Sequence, residues 1–173
     1  MRVILLSGAP GVGQSETARG MVDRCTVKAA FIDIDTFGLV NHWKANHELY
    51  KLMAGNLEAT LPNYLRWGAE LAVVSGVMLP RRLLPFVEQA VETANLEISS
   101  IYGLTASQGQ IRRRIVDDPK PQNVPERLRW TWLDAELSDI HGLSLLDSNG
   151  LSKESVIDRI LDLERAGGHD YWS

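Results

Sequence analysis

At 173 residues the chain is long enough for one domain, at about 100 to 200 residues each, and its 45% hydrophobic share suffices for a core. Against 22 acidic side chains stand 18 basic ones, and the net charge of −4 argues against a general nucleic-acid coat or an anionic-membrane binder. Cys25 has no second cysteine to pair with, which points to a reducing compartment and predicts a cytoplasmic protein.

The first apolar run, Val3 to Leu6, is shorter than a signal-peptide core of about 7 to 15 residues and predicts a strand. Further strands are expected at Ala29 to Ile34, Ala72 to Leu79, Glu97 to Leu104 and Leu143 to Asp147. The longest apolar run, Leu71 to Leu79, is broken by Ser75 and Gly76 and is about half of the ~20 residues a membrane span needs. Between the first two strands, Thr17, Ala18, Met21, Val22 and Cys25 recur at helical spacing. After Ser152, Val156, Ile157, Ile160, Leu161 and Leu163 do the same. Thr36 to Trp67 reads as mostly helical, with breaks expected at Gly55 and Pro62. Ser107 with Gln110 forms a possible capping box, and Pro125 with Glu126 a first turn, so two helices flank the proline-rich stretch Asp117 to Pro125. Strands alternating with helices predict an α/β fold of three layers around a five-stranded parallel sheet.

Gly8, Ala9, Pro10, Gly11, Val12, Gly13, Gln14, Ser15 and Glu16 lie between the first strand and the first helix. A glycine-rich turn feeding a helix N-terminus aims backbone N–H groups and the positive end of the helix dipole at one point, which suits a polyphosphate. Ser15 is placed to offer a hydroxyl to a magnesium ion. The pattern resembles the P-loop, or Walker A, motif, with Gln14 where that motif has lysine. A glutamine amide can donate a hydrogen bond but cannot neutralise charge developing during transfer. A charged hydrogen bond contributes about 1.5 to 3 kcal/mol, so the loss corresponds to about one to two decades in rate. Three explanations stay open: a natural variant compensated by arginines, a binding protein without turnover, or an engineered replacement.

The second strand runs into Asp33-Ile34-Asp35. Two carboxylates two residues apart point to one side of a strand end, and that edge of a parallel sheet is where ligands bind. One can take a proton from a substrate hydroxyl, and the other can hold magnesium. An aspartate-capped turn would place the same residues there. A P-loop followed about twenty residues later by this pair is similar to the small-molecule kinases of the nucleoside-monophosphate-kinase-like group, which includes shikimate kinase, gluconate kinase and chloramphenicol phosphotransferase. The resemblance implies a P-loop NTPase fold, transfer of the γ-phosphate of ATP to a hydroxyl of a small metabolite or antibiotic, and Mg2+ as the metal. It also implies Asp35 as base, Asp33 near the metal, and a helical lid at about 108–130 within a single domain over 1–173.

Between Gln108 and Trp130 six basic residues (Arg112, Arg113, Arg114, Lys120, Arg127, Arg129) face three acidic ones (Asp117, Asp118, Glu126), a local excess of three positive charges. Arginines there can clamp a transferring phosphoryl group while closure excludes water. By the resemblance, Arg112 or Arg113 lies near the adenine, Arg127 or Arg129 at the phosphates, and the loop Leu145 to Gly150 borders the adenine. Two departures favour the alternative of a catalytically impaired nucleotide-binding protein. Gln14 replaces the lysine, and the third strand reads Val73-Val74-Ser75-Gly76, without the aspartate that many such kinases carry. Trp43, Trp67, Trp130 and Trp132 lie in segments flanking an acceptor pocket, where tryptophan could stack on a flat or cyclic compound. His42 and His47 are wrongly spaced for a zinc site, and Ser7 and Ser75 lack the context of a hydrolase nucleophile. A polynucleotide kinase is disfavoured by the acidic total, so the expected partners are a nucleotide and a small acceptor, not nucleic acid or membrane.

Overall fold

The computed structural model describes residues 1–79, 81–118, 124–129 and 131–173. Of the lid segment expected at 108–130, positions 119–123 and 130 therefore lie outside the described residues, Lys120 and Trp130 among them, as do the side chains of Glu126 and Trp132.

Five parallel strands form one sheet: β1 (Arg2–Gly8), β2 (Ala29–Asp33), β3 (Leu71–Gly76), β4 (Glu97–Thr105) and β5 (Leu143–Asp147), in the order β2-β3-β1-β4-β5. Val3 through Leu6 in β1 and all of β3 are buried, as strands covered by helices on both faces must be. Helix α1 (Gln14–Asp23) packs with α6 (Lys153–Ala166), and α2 (His47–Trp67) packs with α3 (Leu84–Thr93). The connection β1-α1-β2 runs one way along the sheet and β3-α3-β4 the other, so right-handed crossovers put these helix pairs on opposite faces. Helix α4 (Gln108–Val116) and the short α5 (Val124–Arg129) precede a 3-10 helix at Thr131–Asp139, at the β4–β5 side. No helix among the described residues is long and apolar enough to cross a membrane.

The α/β class and the five-stranded parallel sheet agree with the sequence reading. Several element boundaries differ, those of α2 and β3 most. Helix α2 runs unbroken for 21 residues through Gly55 and Pro62. Leu49, Met53, Leu57 and Leu61 all face the core at four-residue spacing, and burying four large side chains outweighs a helix penalty of about 1 kcal/mol for glycine and about 3 for proline. Asn46 caps its start by accepting from the Leu49 amide. Strand β3 stops at Gly76, short of Leu79, because the chain there turns onto Ser7. The Ser7 hydroxyl donates to the Met78 carbonyl at 2.7 Å and accepts from the Met78 amide at 3.1 Å.

Candidate functional site

The carboxyl ends of β1, β2 and β3 open into a cleft of about 1340 Å³. One ligand site commonly occupies about 300 to 1000 Å³, so this cleft has room for two molecules.

Its floor is the glycine loop. Gly11 and Gly13 have φ of +86° and +103°, left-handed values that glycine adopts without strain. Gly11 is also pressed against α4: a Cβ there would lie 2.4 Å from Ile115 Cγ1. Gly13 is the N-cap of α1, and having no side chain it supplies no cap to the first-turn amides. Those donors, with the helix dipole behind them, stay available to an anion. Gln14 opens the helix and is nearly buried against the cleft. Ser15 follows it, and the Ser75 hydroxyl at the end of β3 donates to Ser15 Oγ at 3.4 Å. Where the third strand lacks an aspartate, it thus contributes a buried hydroxyl. Glu16 is exposed in the first turn and also borders the cleft.

Asp33 is the last residue of β2, and the chain then tightens into a 3-10 helix, Ile34–Gly38, in place of continuing the strand to Ile34. The Asp33 carboxylate caps that helix by accepting from the Asp35 amide at 3.2 Å. Asp35 Oδ1 accepts from the Val77 amide at 3.3 Å. Burial first, and the negative charge of Asp33 second, push the Asp35 carboxyl up from its ordinary value to about 7, against the opposing pull of the Val77 bond. Gly76 makes room for it, since a Cβ there would stand 3.0 Å from Asp35 Oδ1. Both carboxylates line the cleft.

The arginines divide. Arg127 lines the cleft and pairs with Asp118 at 2.8 Å, whereas Arg112, Arg113 and Arg129 are exposed and stand away from its walls. Arg114, given no separate role from the sequence, reaches in instead. Its Nη1 donates to the Val12 carbonyl at 2.8 Å and to Ser148 Oγ at 3.1 Å, and Nη2 donates to the Ser148 carbonyl at 3.1 Å. It ties the glycine loop to the β5–α6 connection. No sequence signal singles it out: Arg112 and Arg114 flank the buried pair Ile111 and Ile115 of α4 symmetrically, and the packing of the helix decides which of them reaches the loop. Arg82, also unanticipated, enters from the β3–α3 connection and meets Glu136 at 3.5 Å.

An uncapped helix start behind a turn with two left-handed glycines fits a polyphosphate. The Ser15 hydroxyl and the Asp33 carboxylate are hard oxygen donors suited to Mg2+. Among the described residues no group of three or more His, Cys, Asp or Glu side chains could hold a metal, so phosphate and water oxygens would have to complete the shell.

No protein-family model matches the chain, and no curated protein sequence does. Solved structures do resemble it. The tunicamycin resistance protein of Deinococcus radiodurans superposes with a TM-score of 0.66 at 18% identity, over 99% of this chain and 98% of that one. A sugar kinase from Janibacter sp. HTCC2649 gives 0.64 at 16% identity, over 94% and 93%. A gluconokinase from Sinorhizobium meliloti 1021 gives 0.59 at 14%, over 96% and 97%. The chain has the fold of P-loop kinases.

Proposed function

We propose that the chain is an ATP-dependent phosphotransferase whose acceptor is the hydroxyl of a small molecule. One observation carries this reading: Asp35, a carboxylate held in place at the sheet edge, lines the same cleft as the uncapped start of α1. In the reaction, Asp35 takes the acceptor's hydroxyl proton as the acceptor oxygen bonds to the γ-phosphorus. The bond from that phosphorus to the β–γ bridging oxygen breaks, and ADP leaves. A carboxyl near pH 7 is matched to a proton transfer at neutral pH. The loop from Gly8 to Ser15 holds the phosphates, Gln14 donates to them as a neutral amide, and Arg114 keeps the loop in register with Ser148. Ser15 and Asp33 would hold Mg2+, which when bound would offset phosphate charge. Arg127, which lines the cleft, would clamp the transferring group, and α4 and α5 would belong to a lid that excludes water.

The second reading, a nucleotide-binding protein without turnover, is favoured by the neutral residue at Gln14 and the hydroxyl at Ser75. Calorimetry with Mg-ATP, followed by ADP release across a panel of hydroxylated compounds, separates the two. Acceptor-dependent ADP release that is lost in Asp35→Asn supports the transferase. Tight Mg-ATP binding with no release for any acceptor supports the binding protein.

A further inference from the structure

We infer, building on the phosphotransferase reading, that the acceptor half of the cleft takes an alcohol with an apolar, ring-sized body, of the aryl-alcohol class, and not a polyol. The segment that leaves the 3-10 helix bearing Asp35 carries Leu39, Val40 and Trp43, exposed by 81%, 41% and 44%. All three line the cleft, together with Leu49 and Met53 of α2. Single exposed apolar side chains are ordinary, but three large ones within five residues on the wall of one cavity form a contact surface. They begin four residues beyond the carboxylate that would receive the acceptor proton, so the reacting hydroxyl and the apolar wall are neighbours.

Two of the charged groups among the described residues that line this end already have partners. Asp35 accepts from the Val77 amide, and Arg82 is engaged by Glu136 and Tyr50. A polyol bound against Leu39, Val40 and Trp43 would turn several hydroxyls onto apolar side chains, each unpaired one at its desolvation cost. An aryl alcohol presents one hydroxyl to Asp35 and covers Leu39, Val40 and Trp43 with its ring. The cleft volume leaves space for such a body beside a nucleotide. A smaller cavity of about 500 Å³, lined by His47, Arg81, Glu136 and Asp139, adjoins through Ala45, Tyr50 and Arg82.

The test uses the full chain with Mg-ATP, titrated with 2-phenylethanol and, separately, with glucose and with gluconate. Binding is read by tryptophan fluorescence and turnover by ADP release. With 2-phenylethanol we expect a saturating fluorescence change that Trp43→Phe removes, and ADP release above the acceptor-free rate. Leu39→Asp, at a site too exposed to support folding, should weaken 2-phenylethanol about tenfold and leave Mg-ATP affinity unchanged. Saturation by glucose or gluconate with none by 2-phenylethanol overturns the proposed class, and ADP release with those sugars then leaves the transferase reading standing. Failure of all three to bind, or indifference of the alcohol to Leu39→Asp, also overturns it. Saturation by 2-phenylethanol without ADP release supports the apolar acceptor surface and counts against transfer alone.

Discussion

Replacing Asp35 by asparagine should make the protein more stable while removing its proposed base, and the size of the gain follows from the carboxyl's position. Its folded-state value of about 7 lies above the ordinary 3.8. Between those values the unfolded chain releases the proton while the folded chain keeps it, so wild-type stability falls as pH rises from about 4 to 7 and is flat above. The full shift of about three units, at 1.36 kcal/mol each, sets a ceiling of about 4 kcal/mol. Asp35 is half-buried and solvent screens part of this, so a gain on the order of 2 kcal/mol is expected, or about 4 to 8 °C in Tm for a chain of this size. Asparagine keeps an oxygen for the Val77 amide, and the bond from the residue-35 amide to Asp33 involves only backbone on that side, so neither contact need be lost. Urea unfolding of both proteins in metal-free buffer from pH 4 to 8 checks the idea. The difference should be small at pH 4, grow toward pH 7 and then level off. A difference that is constant with pH, or a variant less stable at pH 8, would refute the account of the buried carboxyl.

Gln14→Lys should raise acceptor-dependent turnover by about one to two decades, because it places a full charge at the loop, and single-turnover kinetics would show it. Tighter Mg-ATP binding with no turnover in that variant would favour the binding-protein reading. Arg114→Ala removes the three hydrogen bonds that tie Val12 to Ser148, so amide exchange at Gly11 to Gly13 should speed up and ATP affinity fall by about tenfold or more. Unchanged exchange would mean the loop holds its shape without it. Gly11→Ala forces a side chain into a left-handed position against Ile115, and calorimetry should register weaker Mg-ATP binding, by about tenfold. Above pH 7, acceptor-dependent kcat/KM should level off, having climbed through an acid limb near 7 as Asp35 ionises. A limb near pH 4 would remove Asp35 from the role of base.

What sequence alone could determine was local. Five apolar runs bounded by turn residues marked the strands, and three closely spaced glycines between a strand and a helix marked the loop, because period and turn chemistry act over a few residues. Ser107 caps α4 where capping chemistry placed it. Everything that required the chain to return from a distance was decided by tertiary structure. The persistence of α2 through Gly55 and Pro62 depended on which of its side chains found a core. Asp35 is aimed by an amide 42 residues away, and Ser15 meets a hydroxyl 60 residues away. Arg112 and Arg113 cannot be told from Arg114 by composition or charge. Only the docking of Ile111 and Ile115 turns Arg114 toward the glycine loop, and the free energy that selects it comes from burying those two side chains, not from the arginine itself.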